Sequence, residues 1–291
     1  MKQRNILTIV FTLFCVATIM AQNVDNEKTG ILLVHYGTSN DKSRAQTIDK
    51  LNSRVAETFP DCAVVEAYSA PSVIKTLAKR GIKKLYISQA LDSLKALGCN
   101  KLVVQSTMLL DGVMTEMLRT EVGKVKNDFR AVSVVRPLLY SVDDCQIMIE
   151  MLTKSLLADK SVATKKSQVV LVGHGSDSPA NAMYSQIDYL LKAEGQSSWH
   201  VGTIEGFPTI ENVEQQLKNS KNKNVILVPL LYIAGNHQKE DIDGVWKTQL
   251  QTKGYHVDVF GKGIGEMTEI QNMLIGKIDA QIKTVNSEKA K

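Results

Sequence analysis

The chain is poor in the features that mark several functional classes. Phe, Trp and Tyr make up 5% of its 291 residues, and 35 basic side chains face 30 acidic ones, for a net charge of +5. No basic stripe interleaved with aromatics appears, so no nucleic-acid partner is expected. Cysteines number four and none forms a Cys-x-x-Cys pair, which argues against a thiolate metal site or a disulfide scaffold. Cys62, Cys99 and Cys145 are widely spaced and read as small buried apolar residues, with one disulfide left open if the compartment is oxidising. A run long enough to span a bilayer is missing too. Residues 6–20 form an apolar stretch of 15, short of the roughly 20 that a transmembrane helix needs. This stretch follows Lys2 and Arg4 and ends at Ala21, the pattern of a secretory signal. The expectation is therefore a signal peptide over residues 1–21 and a mature periplasmic protein without stable membrane insertion.

What the chain does have is alternation. Apolar, β-branched runs at residues 30–35, 62–68, 101–105, 131–135, 168–172, 200–205, 224–230 and 255–260 are separated by helical patterns. Continuous apolar runs of this length read as strands buried on both faces, as in parallel sheets. The intervening stretch 44–59 sets Ile48, Leu51, Val55 and Phe59 on one helical face. Such βαβ repetition predicts an α/β fold. The fold also looks duplicated. Leu32-Leu33-Val34-His35-Tyr36-Gly37-Thr38-Ser39 resembles Val170-Leu171-Val172-Gly173-His174-Gly175-Ser176, and Val104 to Gly112 parallels Val228 to Gly235. We expect two similar Rossmann-like halves, residues 28–160 and 161–291, each a four-stranded parallel sheet flanked by helices. A helix over 266–282 should close the chain, with a frayed tail after Thr284; a homo-oligomer is compatible with all of this.

Two turns carry the chemistry. His174 sits between Gly173 and Gly175 at the end of one apolar run, and His237 follows Ala234-Gly235-Asn236 at the end of another. Turns after strands in open α/β sheets are where ligands bind, so the two imidazoles can converge on one divalent metal or one proton transfer. The acidic cluster Glu240, Asp241 and Asp243 can orient His237 through its second nitrogen. Glu205, before Gly206-Phe207-Pro208, can add an oxygen ligand, and a His, Glu, His set suits a transition metal that arrives and leaves. His35 ends the first run, where it can reach the cleft, whereas His200 and His256 begin strands and read as structural. Met108, Met114 and Met117 form a soft apolar cluster that reads as core or as the wall against a flat macrocycle.

Together these segments resemble a known family. Gly37-Thr38-Ser39, Val104-Gln105-Ser106, Gly173-His174-Gly175, Ile204-Glu205-Gly206-Phe207-Pro208 and Pro229 to His237 occur in the order and spacing of the anaerobic cobalt chelatases of the CbiK type. That group is similar to the wider class II tetrapyrrole chelatases, including protoporphyrin ferrochelatase. The resemblance implies insertion of a divalent metal, Co2+ first and Fe2+ or Ni2+ next, into sirohydrochlorin on the cobalamin pathway, without an organic cofactor. It implies that His174, Glu205 and His237 bind the metal, that His174 and His237 are catalytic with His174 accepting macrocycle protons, and that Thr38, Ser39, Met108 and Met114 meet the macrocycle. The chain departs from the family where many members have a His and an acidic residue and it has Met108 and Met114. That wall is more apolar and would suit haem; the alternative reading is a periplasmic tetrapyrrole-, haem- or metal-binding protein without turnover.

Overall fold

The computed structural model describes residues 27–159 and 166–287, so the expected signal segment and the expected boundary between residues 160 and 161 lie outside the described residues. The eight apolar runs form eight strands: β1 Thr29–His35, β2 Ala63–Tyr68, β3 Lys101–Ser106, β4 Ala131–Val134, β5 Gln168–Gly173, β6 Trp199–Thr203, β7 Asn224–Leu230 and β8 His256–Val259. All pair in parallel, in two four-stranded sheets ordered β2-β1-β3-β4 and β6-β5-β7-β8. The two halves therefore repeat one topology. In each, the chain builds one neighbour for its first strand and then crosses to the other side. The crossover leaves a switch point between β1 and β3, and another between β5 and β7, where the outgoing loops diverge and a crevice opens. His174 leaves β5 and His237 follows β7, so both histidines flank the second switch point.

Strand β1 shows why the central runs carry no polar alternation. Leu32 and Val34 pack on one face with Ile87, Leu91, Leu94 and Leu118, while Ile31 and Leu33 on the other enter a core that also holds Val169, Leu171 and Leu152. That second core draws residues from both sheets, so the halves share an interior. The C-terminal helix reinforces the union. It spans Thr268–Ser287 and packs across β3 and β4 of the first sheet, burying Ile270, Leu274, Ile278 and Val285. The expected frayed tail after Thr284 is corrected as far as Ser287: Val285 is buried, and Asn286 accepts a hydrogen bond of 3.0 Å from the buried Lys101 ammonium. The physical reason is that the apolar stripe continues and has a sheet face to cover.

The amphipathic stretch 44–59 is helical but not uniform. A π-helical segment, Ala45–Asp49, lies between the short helix Asp41–Arg44 and the helix Lys50–Thr58, with Ile48, Leu51 and Val55 buried. A second π-helical segment, Gln238–Trp246, begins directly after His237. Among the described residues no helix is long and apolar enough to cross a membrane. The three described cysteines are free; Cys99 and Cys145 are buried, Cys62 is half-buried, and burial pushes the Cys145 thiol up to about 11.

Candidate active site

Glycine shapes the loop that carries His174. Gly175 adopts φ +92, and a Cβ there would lie 2.2 Å from the Glu205 carbonyl oxygen, so only glycine lets this loop rest against its neighbour. Gly173 is equally constrained, because a Cβ would come within 2.1 Å of the Tyr184 ring. Burial pushes the Tyr184 hydroxyl pKa up, and the nearby backbone of Gly175 and His174 partly counters this. Tyr184 thus holds the loop from below, a role that nothing at the sequence level singled out. The strand before Glu205 ends at Thr203, two residues short of the expected 200–205 run, because the Thr203 N–H donates to the Pro208 carbonyl (2.7 Å) and closes the turn.

The structure brings the two imidazoles together. The His174 and His237 ring centroids are 4.7 Å apart, with planes at 83°. His174 Nδ1 lies 3.1 Å from the Gly175 carbonyl oxygen. A carbonyl only accepts, so in the neutral ring Nδ1 carries the proton and Nε2 keeps its lone pair. His237 is held the same way by another group: its Nδ1 donates to Asp241 at 2.8 Å, one helical turn on. Both Nε2 atoms are left as donors, the arrangement that outer partners impose on metal-binding histidines. Asp241 is the member of the acidic cluster that does this.

Glu205 is tied to the pair through its backbone, its N–H donating to the His174 carbonyl at 2.7 Å. Its carboxylate is exposed, and among the described residues no three His, Cys, Asp or Glu side chains are gathered to hold a metal. Two of the three expected ligands are therefore paired, and the third stands on the adjoining loop.

The first half supplies no imidazole to this crevice. His35 is fully buried rather than lining the cleft. Its Nδ1 is 3.1 Å from Thr107 Oγ1, its Nε2 is 3.0 Å from Asn52 Oδ1, and burial pushes its pKa down. His200 is buried against Gln216 and Gln168, as a structural histidine should be, while His256 is exposed at the start of β8. Gly37, at φ +100 against the Tyr68 ring, matches Gly175 in the duplicated pattern, which sets the exposed Tyr36 where the second half has His174. Thr38 and Ser39 are half-buried in this loop; Thr38 Oγ1 accepts from the Asn40 N–H, and the Ser39 carbonyl accepts from Arg80 at 2.6 Å. Met108 and Met114 are half-buried and join none of the buried clusters, whereas Met117 packs into the first half's outer core beside the Tyr86 hydroxyl. The segment holding Met108 and Met114 meets the His174 loop at Gly112, where an added Cβ would lie 3.3 Å from Ser178 Oγ. Exposed Tyr36, Tyr140 and Phe207 stand on the loops at the carboxyl ends of β1, β4 and β6, and exposed Val113 opens the helix Val113–Val125 that follows β3.

Twin parallel sheets with a shared core, and an imidazole pair outside the carboxyl ends of the second, define a protein with the chelatase fold. SirB from Bacillus subtilis, solved with Fe3+, has that fold: it matches with a TM-score of 0.64 at 15% identity, over 91% of this chain and 100% of its own. The profile of the cobalt chelatase (CbiK) family matches residues 29–283, and the chain belongs to that family. It is 26% identical to the sirohydrochlorin cobaltochelatase of Salmonella typhimurium strain LT2 over 268 residues, 90% of this chain and all of that one. Its identity to the sirohydrochlorin cobaltochelatase CbiKC of Nitratidesulfovibrio vulgaris strain Hildenborough is 27% over 272 residues, 91% of this chain and 94% of that one.

Proposed function

We propose that this protein inserts Co2+ into sirohydrochlorin on the cobalamin pathway. The observation that carries the reading is the His174–His237 pair, with both Nδ1 atoms committed to acceptors and both Nε2 atoms left for a metal. Membership of the cobalt chelatase family and two relatives named for this activity support it. Imidazole donors suit Co2+, and equally Fe2+ and Ni2+. The metal is a substrate: it is held by His174 and His237, joined by Glu205 when that carboxylate turns in from the adjoining loop. Two pyrrole N–H protons leave as the divalent ion enters the ring. His174 Nε2 does two things in turn, because one lone pair cannot hold a metal and a proton together. It releases the ion to the ring nitrogens and then accepts a pyrrole proton; the second proton leaves through His237, whose exposed ring hands it to water. Thr38, Ser39, Met108 and Met114 contact the macrocycle.

Mixing the purified protein with sirohydrochlorin and Co2+ and following the absorption spectrum tests this. Many turnovers per protein are expected, with His174→Ala and His237→Ala each weakening Co2+ binding more than tenfold through loss of one of few nitrogen donors. The half-buried Met108 and Met114 favour a second reading, an apolar tetrapyrrole or haem carrier without turnover; saturable binding with no metallated product would establish it. We further propose that the reaction takes place in the periplasm. N-terminal sequencing of the exported protein should begin near Gln22; a sequence beginning at Met1 would refute that.

A further inference from the structure

At the carboxyl ends of β3 and β4 lies a cavity of about 390 Å³, lined by Ser106, Asp111, Thr115, Arg119, Arg136 and Tyr140, among others. That is far more than the roughly 30 Å³ a water occupies. Its charges do not cancel. Asp111 accepts from Arg119 at 2.6 Å and from the Thr115 hydroxyl at 2.9 Å, which neutralises one guanidinium. Arg136 pairs with no acid among the described residues; its guanidinium instead lies over the Tyr140 ring, 4.8 Å from the centroid. Stacking occupies the flat face of an arginine and leaves its N–H edge, the fork that matches a carboxylate in two parallel hydrogen bonds. The cavity thus carries one surplus positive charge, seated over the Tyr140 ring. It also adjoins the metal loop: Asp111 precedes Gly112, which abuts Ser178 beyond His174.

We infer that this cavity binds one peripheral carboxylate of the tetrapyrrole, with Arg136 as its anchor and Tyr140 as the platform that orients it. The assignment rests on the tetrapyrrole reading above and adds to it a place where the macrocycle's rim is recognised. One carboxylate matches one surplus charge, and the other carboxylates of sirohydrochlorin remain in solvent or on other partners.

Fluorescence titration with metal-free sirohydrochlorin, run beside steady-state cobalt insertion, tests the assignment. Arg136→Ala should raise Kd and KM about tenfold while kcat falls far less, the size expected for a charge-assisted pair. Tyr140→Leu, which keeps the charge and removes the platform, should raise both two- to threefold, and Arg136→Lys should recover part of the loss. Because Arg136 and Tyr140 are exposed, all three variants should melt with the parent. An active parent whose Kd and KM are unchanged by Arg136→Ala overturns the cavity assignment alone. A parent that binds sirohydrochlorin without inserting cobalt overturns the turnover reading alone, and the Arg136→Ala titration still decides the cavity. A parent that binds no sirohydrochlorin overturns both.

Discussion

His237 differs from His174 in what holds its ring. The carbonyl that fixes His174 belongs to the next residue of a glycine-shaped loop, whereas the acceptor for His237 is a carboxylate whose charge also makes the imidazole a better donor. Asp241→Ala should therefore weaken Co2+ affinity about tenfold, the lower end of the range for outer partners of metal ligands, because this pair is partly exposed. Isothermal titration of the variant with Co2+ measures it; an unchanged affinity would mean that Asp241 only caps the helical turn. The opposite wall allows a converse test. If Met108 and Met114 face the macrocycle, Met108→His with Met114→Glu should raise the rate of cobalt insertion into sirohydrochlorin and weaken protoporphyrin binding, since burying carboxylates against an unpartnered apolar wall costs several kcal/mol. No change in either measurement would assign both methionines to packing.

Strands and turns explain why so much of the site can be read from the sequence. Most strands announce themselves because β1, β3, β5, β6 and β7 are buried on both faces and so lack polar alternation, whereas the edge strand β8 alternates exposed His256 and Asp258 with the more buried Val257 and Val259. The imidazole pair follows from the same rule, since small-residue turns after β5 and β7 must open at the switch point. Three things leave no such mark. π-helical geometry at Ala45–Asp49 and Gln238–Trp246 widens the turn without changing which residue types are apolar. Tyr184 looks like any aromatic in an amphipathic helix, and only the adjoining Gly173 hints that a ring lies close. Arg136 and Tyr140 stack across a loop that has no period to betray it. The constraint on the His174 loop is itself testable. Gly175→Ala forces φ +92 on an L side chain and drives a methyl to 2.2 Å from the Glu205 carbonyl. A loss of about 2–3 kcal/mol is expected, from strain and overpacking together. Urea unfolding would measure it, and a loss below half a kcal/mol would show that the loop relaxes freely.

Across the molecule, protons and packing set what the fold tolerates. Burial lowers the pKa of His35 in one half and His200 in the other below the usual 6.5. The unfolded chain therefore takes up protons on these rings before the folded chain does, so stability falls as pH drops through 6.5 toward the folded values. The lowered carboxyls of Glu27 and Asp144 act only nearer their ordinary values of 4.5 and 3.8. Between pH 7.5 and 5.5 the urea midpoint should consequently fall, and one that stays fixed would refute neutral burial of both rings. The C-terminal helix bears on the whole fold more heavily. It belongs to the second half in sequence but covers β3 and β4 of the first, burying Ile270, Leu274, Ile278 and Val285. Four such side chains are worth roughly 6–12 kcal/mol at about 1.5–3 each, against a whole-protein stability of about 5–15 kcal/mol. Lys277 adds an ion pair of 2.9 Å with Asp144 of the helix Val142–Ala158, where burial raises the Asp144 carboxyl but Lys277 and Ser141 more than offset it. A chain ending at Met267 should therefore fail to fold, rather than leave one half intact, because the first sheet loses its cover and the shared core is opened. Circular dichroism and thermal melting of the truncated chain check this. A soluble truncated protein that melts cooperatively near the parent's temperature would show that the halves are independent and that the helix is an accessory.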